Sequence, residues 1–132
     1  MNPLTSSQDQ MRHKLAGVDM VNYQPGGLQF LENLRPEGLN ALLDNGFICP
    51  DECQNDSPSI AEYKAFAERH PDERTLTFFG YFVSPDRDDC RISLDGITAN
   101  AKDAEFIADF ANTFHEASEF ECRVGYQRCW FD

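Results

Sequence analysis

Arg91 and Arg123 fall on the polar phase of strand-like segments, beside Phe79, Tyr81 and Val83 of the apolar run from Thr75 to Val83. An aromatic floor flanked by guanidinium groups suits an anionic ligand or an acidic side chain of a partner, which makes Phe79, Tyr81, Arg91 and Arg123 the candidate ligand or partner face. The competing expectation is that leucine-rich N-terminal helices cover these aromatics as a second core layer, leaving the arginines at a rim. That expectation is favoured, because the segment from Leu28 to Phe47 must bury its own leucines.

The remaining reactive residues form weaker constellations. Cys49 and Cys53 bracket Pro50-Asp51-Glu52 and, with His70, His13 or His115, would be the weak alternative to having no metal site. Zinc sites favour repeated, tighter cysteine pairs, so no metal or other cofactor is expected. Cys90 and Cys122 point into the expected core, whereas Cys129 takes the opposite phase and is the better candidate for an accessible thiol. Asp86, Asp88, Asp89 and Asp95 lack the glycine and terminal glutamate of a calcium loop and read as a solvated turn. His115 with Glu116 and Glu119 suggests acid–base chemistry, but a histidine at a helix end is ordinarily explained by the dipole. No nucleophile elbow, P-loop, dinucleotide fingerprint or His-Glu-x-x-His motif occurs, which tilts the reading away from an enzyme.

Composition narrows the partners. The chain of 132 residues carries 23 acidic and 11 basic side chains, a formal charge of −12, and the excess runs through both halves. Such a surface repels phosphate backbones and anionic lipid, so neither nucleic acid nor membrane is expected as a partner. No segment has the length of a membrane span, and Met1 to Leu15 lacks the apolar centre of a signal peptide. Five cysteines in an odd set without framework spacing read as thiols, and a cytoplasmic protein is expected.

The elements that must position these residues follow from periodicity. A single α+β domain over residues 1–132 is expected, with 1–27 weakly patterned and loosely ordered apart from a short helix around Ser7 to Leu15. Residues 23–27 (Tyr-Gln-Pro-Gly-Gly) are turn chemistry. Leu28, Leu31 and Leu34 repeat at helical spacing up to Pro36, and Leu39, Leu42 and Leu43 resume it up to Gly46, predicting two short helices. A further helix is expected to start with Ser57 as cap and Pro58 at its first position, or in an alternative register from Ser59 with capping-box spacing to Glu62, and to end at His70-Pro71. Thr75 to Val83 is apolar on both faces. Cys90, Ile92 and Leu94 alternate with polar neighbours, as do Phe120, Cys122, Val124, Tyr126 and Trp130. Between these last two segments a helix runs from about Ala101 to Glu116, capped by Asn100.

The C-terminal half is therefore predicted as β-β-α-β, a three-stranded antiparallel sheet of order 2-1-3 with the doubly apolar strand in the middle, preceded by three or four short helices. The functional expectation is a small acidic cytoplasmic protein acting as a non-enzymatic interaction or regulatory module for an unidentified protein partner. The alternatives are a small-molecule binder or enzyme with an anionic ligand on the second sheet face, and an acidic mimic of nucleic acid. A monomer is slightly favoured over a homodimer through the C-terminal edge strand.

Overall fold

A computed structural model describes residues 4–19, 27–53, 57–87 and 89–132. Most of the turn expected at 23–27, part of the loop from Cys49 to Ser57, and Asp88 lie outside the described residues. The elements in chain order are α1 (Ser6–Ala16), β1 (Leu28–Leu34), α2 (Pro36–Asp44), α3 (Ile60–Arg69), β2 (Thr77–Val83), β3 (Ile92–Ala99), α4 (Ala104–Phe114), β4 (Glu119–Arg123) and β5 (Tyr126–Trp130). The α+β class holds, but the sheet has five antiparallel strands in the order β1-β2-β3-β5-β4 rather than three in the order 2-1-3.

The helices begin where side chains satisfy their first amides. Thr5 and Gln8 form a capping box on α1, two residues before Ser7, and on α3 the box is that of the alternative register, Ser59 with Glu62, so that Ser57 and Pro58 precede the helix rather than start it. α2 opens with Pro36 and closes through Asn45 and Gly46, whose φ of 77° lets the Phe47 amide return to the Leu42 carbonyl. α4 is capped by Asp103, not Asn100. The segment expected to be loosely ordered thus contains a docked helix. Asp9, Arg12, His13 and Ala16 of α1 are all buried.

Two expectations fail in the sheet, for related reasons. Leu28–Leu34 is a strand, not a helix. A β-bulge sets Glu32 and Asn33 opposite the single residue Phe79, with Asn33 at φ 61°, so Leu31 and Leu34 reach the same core face although they are three residues apart. The bulge reproduces a helix-like spacing inside a segment too short to sustain a helix alone. Because β1 occupies the outer edge of β2, the C-terminal segment pairs with β3 instead. β2 remains an interior strand, but β3 is the central one.

The second failure is the final strand. Glu119 to Trp130 is a hairpin, turned at Val124-Gly125 where Gly125 has φ 89°. The turn inverts the alternation: Gln127 and Cys129 face the core, while Tyr126, Arg128 and Trp130 face outward with Glu119 and Glu121. Gln127 is fully buried because its amide makes both hydrogen bonds to the Ala101 backbone, fixing the entry to α4.

The four helices among the described residues all pack on one face of the sheet. His13 of α1 stacks on Phe82 at 4.2 Å, Tyr63 of α3 meets Phe78 edge-on at 5.6 Å, and Leu39 and Leu42 of α2 join the same core as Phe106, Phe110 and Phe114 of α4. Phe66 of α3 sits among the three α4 phenylalanines.

An ionic clasp closes the α3–α4 contact. Arg69 donates to both Asp109 oxygens at 2.9 and 3.1 Å, and His70 and Thr113 also bond to that carboxylate. Partial burial pushes the Asp109 carboxyl up, but hydrogen bonds from Arg69, His70 and Thr113 outweigh it and hold the pKa at about 2. A depressed carboxylate stabilises the fold above its unfolded pKa, and the gain is lost as pH falls toward the folded value. Asp109→Asn is accordingly expected to cost about 1 kcal/mol at pH 7 after allowance for solvent screening. Urea midpoints of variant and wild type should converge as pH falls from about 4 toward 2; a gap that persists or widens contradicts the assignment.

Candidate functional site

With the helices on one side, the second face of the sheet carries no helix among the described residues, although Phe79 and Val83 on it are buried, at 8% and 1% exposure. The favoured expectation, that the N-terminal helices cover Phe79, Tyr81 and Val83, is therefore overturned. Those helices bury their leucines and aromatics on the other face, beside α4.

The open face is concave. A depression of about 410 Å³ is lined by Phe30, Glu32 and Asn33 of β1, Phe79 and Tyr81 of β2, Asp95 and Thr98 of β3, Arg128 and Trp130 of β5 and Glu119 of β4. A second, of about 280 Å³, shares Tyr81, Asp95 and Trp130 with it and extends over Leu28, Val83, Arg91 and Ser93. Phe30 meets Tyr81 edge-on at 5.6 Å and Phe79 at 6.5 Å. Phe79 lies across Gly96, where a Cβ would come within 2.5 Å of its ring and 2.0 Å of the Cys129 carbonyl, so only glycine lets the ring lie flat on the strand. Arg128 stacks 5.3 Å over Phe79 and pairs with Glu119 at 2.8 Å.

Asp95 is the extra residue of a bulge in β3, where Gly80 faces Leu94 and Phe79 faces Gly96. The bulge restores core alignment for Ile97 and Ala99 and turns Asp95 toward the depression, at only 8% exposure. Its Oδ1 accepts a hydrogen bond of 2.7 Å from Ser93 Oγ. Burial pushes the Asp95 carboxyl above the ordinary value, partly offset by that hydrogen bond and by the Arg91 charge. A buried, perturbed carboxylate in a depression with aromatic walls is a recognised mark of a binding site.

Of the four residues expected to form the face, Phe79, Tyr81 and Arg91 lie together on it. Arg91 borders the smaller depression and bonds to the Asp89 carboxylate at 2.9 Å. Arg123 does not line either depression; it is exposed at the end of β4, paired with Glu121 and 5.2 Å over Tyr126. The site also uses residues that periodicity misplaces. Phe30 belongs to a segment read as a helix, Trp130 to the core face and Arg128 to no site, whereas Asp95, though grouped with the turn aspartates, takes the polar phase of its strand as alternation with Ile92 and Leu94 implies. Two glycines carried the signal: Gly96 inside a strand marks the bulge, and Val124-Gly125 marks the turn.

The other candidates disperse. Cys49 and Cys53 are exposed, His13 is stacked in the core, His70 is bound to Asp109, and His115 is exposed beside Glu116. Among the described residues no three histidine, cysteine, aspartate or glutamate side chains converge as a metal set. Cys129 is not the accessible thiol: it is fully buried, and burial drives its pKa up to about 12. Hydrogen bonding to Glu52 raises the pKa of Cys49. Under native conditions excess maleimide should modify Cys49 and Cys53, and reach Cys90 and Cys129 only in denaturant, as read by mass spectrometry. Early labelling of Cys129 would mean that β5 faces the other way.

The larger depression presents carboxylates, an amide, hydroxyls, aromatic rings and one paired guanidinium, and no histidine, cysteine or lysine. This set offers charge and ring contacts to a ligand. No helix among the described residues is long and apolar enough to cross a membrane. Comparison with protein-family models, with curated proteins and with solved structures gives no match.

Proposed function

We propose that this chain is a non-enzymatic recognition module of the cytoplasm, which holds a segment of a partner protein on the open face of its sheet. The observation that carries the reading is one-sided packing: all four helices lie on one face, leaving Leu28 and Phe30 half exposed beside Tyr81 and Trp130. A monomer suits the reading, since the β4 edge carries Glu119, Glu121 and Arg123 rather than an apolar row. The five cysteines, all free, agree with a reducing compartment.

The size of the larger depression, about 410 Å³, also supports the second reading, a small-molecule ligand. The mimic of nucleic acid gains no support. Acidic side chains occur on every helix and on both edge strands, without the continuous stripe such mimicry needs.

A photoreactive benzophenone side chain placed at position 30 tests the reading in extract of the native cell, with position 68 on α3 as the comparison. Position 30 should crosslink a discrete protein that position 68 does not, and Tyr81→Ala should abolish the product. Crosslinking of the same protein from position 68 alone would place recognition on the helical side and refute the proposal.

A further inference from the structure

We infer that the larger depression receives a lysine or arginine side chain projecting from the partner's segment; this rests on the open face being the recognition surface. Charge selects the cation. Glu32, Asp95 and Glu119 line the depression against one guanidinium, Arg128, which is already paired with Glu119. Glu32 and Asp95 are left facing the space, and an anion brought there meets both.

Asp95 supplies the specific contact. It is 8% exposed, one oxygen is held by Ser93, and the other has no hydrogen-bond partner among the described residues. That oxygen keeps some solvent access, and a cation donating to it offsets the partial desolvation of a carboxylate that is otherwise largely buried.

The rings supply the rest. Phe30, Tyr81 and Trp130 surround the same space, and aromatic faces attract ammonium and guanidinium groups. The site already contains one such pair, Arg128 over Phe79. At longer range, the −12 charge of the chain draws basic segments toward it.

Trp130 is the single tryptophan, so its emission reports the site directly. The purified full chain is titrated with acetylated, amidated Ser-Gly-Arg-Gly-Ser, its lysine counterpart and its glutamine counterpart. The basic peptides should give a saturable change, with the glutamine peptide at least about tenfold weaker. Asp95→Asn, which keeps the Ser93 hydrogen bond, and Phe30→Ser, at a half-exposed position, should each weaken binding about 10- to 100-fold. Glu68→Gln on α3 should leave it unchanged, which separates the site from general attraction to an acidic protein.

Equal response to the glutamine peptide, unchanged affinity in Asp95→Asn, or no saturable response up to about 10 mM would overturn the inference. Free argininamide binding as tightly as the peptide would replace the peptide occupant by a small cation. A partner crosslinked from position 30 together with failure of the basic peptides would leave the recognition reading standing and remove only the cation.

Discussion

Replacing Arg12 by methionine is expected to lower the unfolding free energy by about 3–5 kcal/mol, the range for breaking a buried ion pair from one side. Arg12 is 1% exposed. Its Nε donates to Asp9 Oδ1 at 2.7 Å, Nη2 donates to the Val83 carbonyl at 2.7 Å, and Nη1 donates to the Arg91 carbonyl at 3.3 Å. Its guanidinium also lies 5.1 Å from the centre of Phe82. One side chain therefore ties α1 to the end of β2 and the start of β3. Methionine fills similar volume but leaves a buried carboxylate and two strand carbonyls without this donor. The thermal midpoint should fall by roughly 10–20 °C, and Arg12→Lys should recover only part because an ammonium cannot reproduce the planar fork. Arg87→Met, at an exposed pair with Asp89, should stay within about 0.5 kcal/mol. A loss below about 1 kcal/mol at Arg12 would mean that α1 is not docked as described.

Phe66→Ala is expected to cost a similar 3–5 kcal/mol by a different route. Phe66 has no exposed surface, and its ring centre lies 4.8 Å from Phe114, 5.3 Å from Phe106 and 6.1 Å from Phe110. Removing it leaves a cavity where α3 and α4 meet and strands three aromatic rings that cannot close the gap without moving a helix. Phe66→Leu, which keeps most of the volume, should cost less than about 1.5 kcal/mol. Denaturant titration separates the two substitutions. Equal costs for leucine and alanine would show that packing volume is not what holds this contact.

The α+β class and most of the core were legible because amphipathic helices and the doubly apolar β2 announce themselves by period. The sequence offered two starts for α3, Ser57-Pro58 and Ser59 with Glu62, and the reciprocal hydrogen bonds of the second are the ones formed. The order of the sheet was not legible, since each mistaken element contains a break in parity. The bulge at Glu32-Asn33 gave Leu31 and Leu34 a helix-like spacing, and the turn at Val124-Gly125 exchanged the faces of everything after it. A strand alternates with period two only while its pairing is regular, so a single inserted residue reverses the prediction downstream. The candidate site suffered most because it lies where these breaks converge. Phe79 and Tyr81 were placed correctly because the extra residues of both bulges lie in the strands beside β2, and Arg91 because it precedes the β3 bulge. Asp95 keeps the polar phase that its strand's alternation implies, whereas Phe30, Arg128 and Trp130 follow from the tertiary pairing alone.

The same convergence gives the open face its character. The β3 bulge exposes a carboxylate to it, Gly96 admits the Phe79 ring, and the hairpin turn delivers Arg128 and Trp130. Irregularities of this kind cost ladder hydrogen bonds, and here all of them shape one surface.

Carbene footprinting of the purified chain and of the same chain in extract of its native cell measures most directly whether that surface is the one in use. Among the described residues Met11, Leu28, Phe30 and Val124 are the large apolar side chains at least half exposed or nearly so, at 47%, 49%, 49% and 73%. Leu28 and Phe30 border the open face, whereas Met11 on α1 and Val124 at the hairpin tip do not line either depression and serve as internal references. The account predicts that labelling at Leu28 and Phe30 drops in extract while Met11 and Val124 are unchanged. Unchanged labelling at Phe30, with protection at Met11 or Val124 instead, would contradict it.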